Sequence, residues 1–188
     1  VFEEAVFEEA ALYGRKLYER GLIDGASGNL SFKDGDYVFI TKTGVNLYDL
    51  TKESFVKVRI DADAEKLKAL SASSDALLHI KAYQKSDYSV ILHCHGTYNV
   101  VLSLIYDKIV PVDLEGKLFL GEIEVIDASF MTEEYAEMVS DGIAKKGFAV
   151  VKGHGIYCAG KTFREVFNVI EYIEHSCQVL YLARLVGL

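Results

Sequence analysis

His93 and His95 stand one residue apart at the end of the apolar run Ser89-Val90-Ile91-Leu92. Such a run reads as a buried β-strand, and side chains along a strand alternate between its two faces. Both imidazoles therefore point to one side, and Cys94 points to the other. Two imidazoles on one face bind a transition metal once a third donor joins them. Lys152-Gly153-His154-Gly155, which closes a second apolar run, Phe148-Ala149-Val150-Val151, is the expected source of that donor. Three neutral nitrogens with an open fourth position describe a catalytic Zn²⁺ site, one ion per subunit, better than a structural one. Imidazole also suits Mn²⁺, Co²⁺ and Fe²⁺. A solitary histidine in an apolar segment is more often a hydrogen-bonded core residue, and that reading holds for His79 and His175 inside predicted helices. The spaced pair rises above it because His154 sits in a glycine-flanked turn and because of the motifs around it.

Asp75 opens the helix that precedes the histidine strand. Read locally, it is a first-turn charge or a cap, since a helix N-terminus stabilises carboxylate. Its chemical alternative is a general base beside a metal, where a nearby dication keeps it ionised until it takes a proton. Ser27-Gly28-Asn29, Thr41-Lys42-Thr43-Gly44 and Ser73-Ser74 are short polar turns. Each alone is only a turn. Together they offer amides and hydroxyls of the type that cradle phosphate. No Walker loop and no dinucleotide fingerprint occurs, which disfavours nucleotide binding.

The elements that must position these groups are legible in outline. Phe2, Val6, Ala10, Tyr13 and Leu17 recur at helical spacing up to Arg20, and Gly21 stops the helix. Leu30-Ser31-Phe32, the turn Lys33-Asp34-Gly35-Asp36 and Tyr37-Val38-Phe39-Ile40 form a hairpin signature. Phe55-Val56-Lys57-Val58-Arg59-Ile60 alternates as a strand. Ser73-Ser74-Asp75 caps a helix through Lys85. A short helix, 98–105, follows the histidine strand. Pro111 begins an irregular stretch around Glu115-Gly116-Lys117. A helix near 132–145 leads to the strand before His154, then come Ile156-Tyr157-Cys158-Ala159 and a final helix from Phe163 to about Val186. Mixed elements with frequent hairpins predict an α/β fold of three layers, αβα, with a mainly antiparallel central sheet. No Gly-, Ser- or Pro-rich linker interrupts it, so one domain over 1–188 is expected.

Bulk properties narrow the class. The chain has 188 residues, 51% hydrophobic and 26% charged, with a formal net charge of −8. That balance gives no basic footprint for nucleic acid, although a local cradle still admits a small anion. Cys94, Cys158 and Cys177 are odd in number and unpaired in spacing, which points to a reducing compartment. The acidic start lacks the marks of a signal peptide, no apolar run is long enough to span a membrane, and a cytoplasmic protein is expected. The missing initiator Met reads as trimming.

Five motifs occur in a fixed order: Ser27-Gly28-Asn29-Leu30-Ser31, Ile40-Thr41-Lys42-Thr43-Gly44, Ser73-Ser74-Asp75-Ala76-Leu77-Leu78-His79, His93-Cys94-His95 and Lys152-Gly153-His154-Gly155. This series resembles the class II aldolase/adducin family across nearly the whole chain. The resemblance implies the αβα fold and a homotetramer with active sites at subunit interfaces. It implies zinc on His93, His95 and His154, and substrate phosphate held among Asn29, Thr43, Gly44, Ser73 and Ser74. It makes Asp75 the catalytic carboxylate. The implied reaction is reversible cleavage of a ketose 1-phosphate, such as L-fuculose 1-phosphate, to dihydroxyacetone phosphate and a short aldehyde such as lactaldehyde. In that reaction a metal ion stabilises the enediolate.

Two departures bear on this reading. Aldolases of the family usually carry Glu where this chain has Asp75, whereas the related ribulose-phosphate 4-epimerases carry Asp. After Pro111, where a tyrosine proton donor can stand, this chain reads Asp113-Leu114-Glu115-Gly116-Lys117, which resembles the shorter archaeal aldolases and makes Glu115 the candidate acid. A pentulose-5-phosphate 4-epimerase, a methylthioribulose-1-phosphate dehydratase and a non-catalytic adducin-like module are the alternatives.

Overall fold

The helical stripe at the start of the chain becomes α1 (Phe2–Glu19). The computed structural model describes residues 2–187, with side chains described for 4–187; Val1, Leu188 and the Phe2 side chain at the head of that stripe lie outside this description. The buried face of α1 runs through Phe7, Ala10, Tyr13 and Leu17, with Val6 only partly covered. Phe7 meets Phe32, Phe39 and Phe55 edge-on, at centroid distances of 5.2, 5.4 and 5.2 Å. Those rings lie on β1 (Asn29–Asp34), β2 (Tyr37–Thr41) and β3 (Phe55–Arg59), the predicted hairpin and the strand after it.

Next come α2 (Ala64–Ala69), α3 (Ala76–Gln84), β4 (Val90–Cys94), α4 (Thr97–Ile105), β5 (Lys108–Ile109), β6 (Ile123–Ile126), α5 (Glu133–Lys146), β7 (Phe148–Val151), β8 (Gly155–Gly160) and α6 (Phe163–Leu185). The sheet has eight strands in the order β3-β2-β1-β4-β8-β7-β6-β5. Every pairing is antiparallel except β6 with β7, which α5 connects as a crossover. Helices α1, α4 and α6 cover one face, and α2, α3 and α5 cover the other. The three-layer α/β architecture is as expected from the sequence. No helix among the described residues is long and apolar enough to cross a membrane.

Strand alternation sorts the central residues between the layers. Val90, Leu92 and Cys94 enter the core under α1, α4 and α6, whereas Ile91 enters the core under α3 and α5. His93 faces the same way as Ile91, toward the helix that Asp75 opens, so Cys94 is a packing residue.

Three local expectations need correction. The stretch after Pro111 is helical, and Gly116–Leu120 forms a π-helical turn. Asp113 explains it: its Oδ2 accepts the Gly116 N–H at 2.9 Å and the Ser176 hydroxyl at 3.0 Å, which ties the turn to α6. Asp75 occupies the N-cap position of α3, but its side chain makes no capping bond. Tertiary partners claim the carboxylate instead. Short elements, α2, β5 and β6, arise where no periodicity was legible, because two to six residues carry too little pattern.

Candidate active site and metal centre

His93 is set by its place in the middle of the sheet. β4 lies between β1 and β8, so His93 pairs with Asn29 on one side and with Tyr157 on the other. Its Nδ1 is 2.9 Å from the Ile156 carbonyl oxygen. A carbonyl only accepts, so Nδ1 carries the proton and the Nε2 lone pair is left facing the site. His95 follows the last paired residue of β4, and its N–H donates to the Leu22 carbonyl at 2.8 Å. The turn after it is braced by Glu174 of α6, whose carboxylate accepts the Tyr98 and Asn99 N–H groups at 2.8 and 3.0 Å.

His154 arrives from the turn between β7 and β8. That turn requires glycine at 155: the residue has φ 151°, and a Cβ there would lie 2.2 Å from the Cys94 carbonyl oxygen. Close backbone approach at Gly155 brings His154 beside the β4 pair. The ring centroids of His93 and His95 are 4.6 Å apart, and each is 4.8 Å from that of His154.

One candidate ligand atom from each of the three rings lies within 4.8 Å of the others. His93 Nε2 and His95 Nε2 are 2.8 Å apart. Two lone pairs cannot face each other at that distance without a proton or a cation between them. Burial, and then the neighbouring imidazoles, holds His93 well below the ordinary histidine range; burial first also brings His95 down to about 4 and lowers His154. All three are therefore neutral near pH 7, the state that ligates. The donor set fits a divalent transition-metal ion.

Asp75 stands 3.8 Å from His93 Nε2 through its Oδ2. The same oxygen accepts Asn29 Nδ2 at 2.7 Å and the Tyr157 hydroxyl at 3.0 Å. Burial raises the carboxyl above its usual range, and the bonds from Asn29 and Tyr157 partly oppose that rise.

The polar turns close the other wall. Thr43 is held by its N–H to Ser71 O at 3.0 Å and its hydroxyl to Ala72 O at 2.8 Å, while Ser73 N–H donates to Thr41 O at 3.0 Å. Gly44 and Ser74 have no hydrogen bond among the described residues, so their amides and the Ser74 hydroxyl are free. Asn29 Oδ1 is buried without a partner. Free amides beside buried polar groups are the donor chemistry of an anion cradle.

Asn29, Thr43, Gly44, Ser73, Ser74, Asp75, His93, His95 and His154 all line one cavity of about 180 Å³. Residues 8–181 match the family described as "Class II Aldolase and Adducin N-terminal domain". The chain belongs to that family. Among similar curated proteins is an L-fuculose phosphate aldolase of Methanocaldococcus jannaschii, 32% identical, covering 92% of this chain and 93% of that protein. A methylthioribulose-1-phosphate dehydratase of Sulfurihydrogenibium sp. is 29% identical, over 88% of this chain and 84% of its own length. The crystal structure of L-fuculose-1-phosphate aldolase from Thermus thermophilus aligns with a TM-score of 0.87 at 27% identity, covering 95% of this chain and 94% of that one.

Glu115 does not join the cavity. It is exposed immediately before the π-helical turn and lines no part of the site within its own subunit. His79 and His175 stay outside as well. His79 is buried with Nδ1 2.7 Å from the Ser31 hydroxyl, and His175 is exposed on α6.

Sequence reading missed three residues. Phe130 covers the site from the loop before α5, with its ring 5.0 Å from that of His154. It precedes Met131, one of two described non-glycine residues with positive φ. Tyr157 and Tyr135 lie behind Asp75, their hydroxyls 2.8 Å apart. Strand register offered the one available signal, since Tyr157 is the β8 residue opposite His93.

Proposed function

We propose that this chain is a metal-dependent sugar-phosphate aldolase that cleaves a ketose 1-phosphate of the L-fuculose 1-phosphate kind to dihydroxyacetone phosphate and a short aldehyde such as lactaldehyde. The observation that carries the reading is the convergence in one cavity of a neutral three-imidazole cluster, a buried carboxylate and unpaired amides. Zinc on His93, His95 and His154, one ion per subunit, is the proposed resident metal. When bound it supplies positive charge that stabilises the carbanionic product fragment.

The residues divide the remaining work. The Gly44 and Ser74 amides, with the Ser73 and Ser74 hydroxyls and Asn29, bind the phosphate and fix the sugar's register, while Thr43, whose N–H and hydroxyl donate to Ser71 O and Ala72 O, holds the turn in shape beside them. A base removes the C4 hydroxyl proton, the C3–C4 bond breaks to leave an aldehyde at C4, and its electron pair stays with the three-carbon fragment. Asp75 delivers a proton to C3 of that fragment, and in synthesis it removes the same proton. A carboxyl raised by burial is a stronger base than a free aspartate, which suits a group that exchanges a proton with carbon.

Glu115 is the proposed partner at the C4 hydroxyl, reaching the site of an adjacent subunit in a homotetramer. Its neighbours support that placement: Leu114, Leu118 and Phe119 are 65, 68 and 62% exposed, an apolar surface suited to a second copy. A single domain, 1–188, in the cytoplasm completes the proposal.

The test incubates zinc-loaded protein with L-fuculose 1-phosphate and related ketose 1-phosphates, measuring dihydroxyacetone phosphate by a coupled dehydrogenase and trapping the aldehyde. Equimolar products support cleavage. Similarity to a methylthioribulose-1-phosphate dehydratase favours the second reading. A dehydrated product without aldehyde would establish it, and an epimerised pentulose 5-phosphate would establish the epimerase. A metal-free, folded and inert protein would point to an adducin-like module.

A further inference from the structure

Tyr157 lies behind the cavity and touches three of the residues that line it, His93, His154 and Asp75. It is fully buried, and its ring lies flat against His93 at a centroid distance of 3.8 Å and an angle of 6°. Its hydroxyl reaches three groups: Asp75 Oδ2 at 3.0 Å, Tyr135 Oη at 2.8 Å and His154 Nε2 at 3.1 Å. A phenol has one proton to give. The Asp75 carboxylate only accepts when ionised, so that proton goes to Asp75. The Tyr157 oxygen then accepts from Tyr135. Donors run in one direction, Tyr135 to Tyr157 to Asp75, an order in which each bond polarises the next.

The effect falls on one oxygen of the carboxylate. Asn29 Nδ2 and the Tyr157 hydroxyl both donate to Oδ2, and no hydrogen bond to Oδ1 occurs among the described residues. Two donors on one oxygen fix rotation of the carboxylate about its Cβ–Cγ bond, leaving Oδ1 for the cavity that Asp75 lines. Aspartate is one methylene shorter than glutamate, and about 1 Å of misplacement at a reacting group is enough to cost about 10²-fold in rate. The phenol fills the space behind the shorter acid.

We propose that Tyr157, braced by Tyr135, is a positioning residue that holds Asp75 with one oxygen locked and the other presented to substrate. This rests on the aldolase reading only for its kinetic consequence; the orientation of Asp75 is a claim about the fold.

Y157F keeps the ring against His93 and removes only the hydroxyl. Its kcat is expected to fall about 10–100-fold, with KM for the sugar phosphate and the zinc content unchanged. Y135F should show a smaller fall in kcat, and the double variant should match Y157F alone, because both act through one chain. D75E should be impaired, its longer acid driven against the Tyr157 hydroxyl, and D75E/Y157F should recover activity over D75E. Additive losses, an altered KM, or no recovery by the double variant would overturn the proposal. Loss of zinc in Y157F would also overturn it, showing that the phenol acts on the imidazoles. A crystal structure of Y157F supplies the readout independent of activity: a carboxylate that keeps its orientation refutes the proposal, and one that rotates supports it. If wild-type protein cleaves no ketose phosphate, the aldolase reading fails, and the crystallographic arm still decides the role of Tyr157.

Discussion

The two walls of the cavity are built on opposite principles. On the phosphate side, Thr43, Gly44, Ser73 and Ser74 lie in polar loops, and what they offer is the free main-chain N–H of Gly44 and Ser74 and the two serine hydroxyls. On the metal side, His93 and Tyr157 are buried side chains at the middle of the sheet and Asp75 is a buried one at the head of α3, each bonded to another group. The first wall depends on backbone shape, so one side chain contributes little by itself. The second depends on desolvated groups whose partners cannot be replaced by water, and losing one leaves the rest unpaired.

That contrast ranks the following substitutions. His154→Ala removes one of three proposed ligands and should abolish metal retention and turnover together. Metal analysis after gel filtration checks it, and stoichiometric zinc in the variant would refute the ligand set. Asp75→Asn keeps the shape and the metal but loses the proton carrier, so kcat should fall by about 10²–10⁴-fold. Unchanged turnover would remove Asp75 from the chemistry.

Ser74→Ala tests the exposed wall. Its side chain bonds nothing within the described residues, so melting temperature should not move. KM should rise about tenfold, which corresponds to ~1.4 kcal/mol of lost phosphate binding, with kcat nearly unchanged. A fall in kcat as large as that for Asp75→Asn would erase the distinction between the walls.

At neutral pH the mildest effect belongs to the buried layer behind Asp75. Burial brings His79 down to about 3, below its ordinary 6.5. The fold therefore excludes the charged form, and stability is complete above pH 6.5. It declines as pH falls from 6.5 toward 3, by up to about 1.4 kcal/mol per pH unit. In His79→Gln, denaturant titrations should lose that part of the slope, with turnover at neutral pH retained. An unchanged slope would show that His79 takes up its proton in the folded protein as readily as in the unfolded chain.

The layers and the long elements were legible because periodicity over many residues reports which face is buried. Phe7 to Leu17 on α1 and the alternation along β4 are examples. The π-helical turn at Gly116–Leu120 was not legible, because its cause, the Asp113 carboxylate bonded to Ser176, spans 63 positions. Asp75 shows the same gap. Its neighbours in sequence describe a helix cap, and its neighbours in space, Asn29 and Tyr157, are 46 and 82 positions away.

By itself the sequence determined the α/β layering, the pairing of His93 with His95 on one face and the polar turns, all consequences of residue order over short distances. Tertiary structure alone decided that Asp75 turns away from its helix, that Tyr157 stands behind it, and that Glu115 lies outside the cavity of its own subunit. Those placements depend on which strands lie side by side, and strand order brings together residues that no local pattern relates.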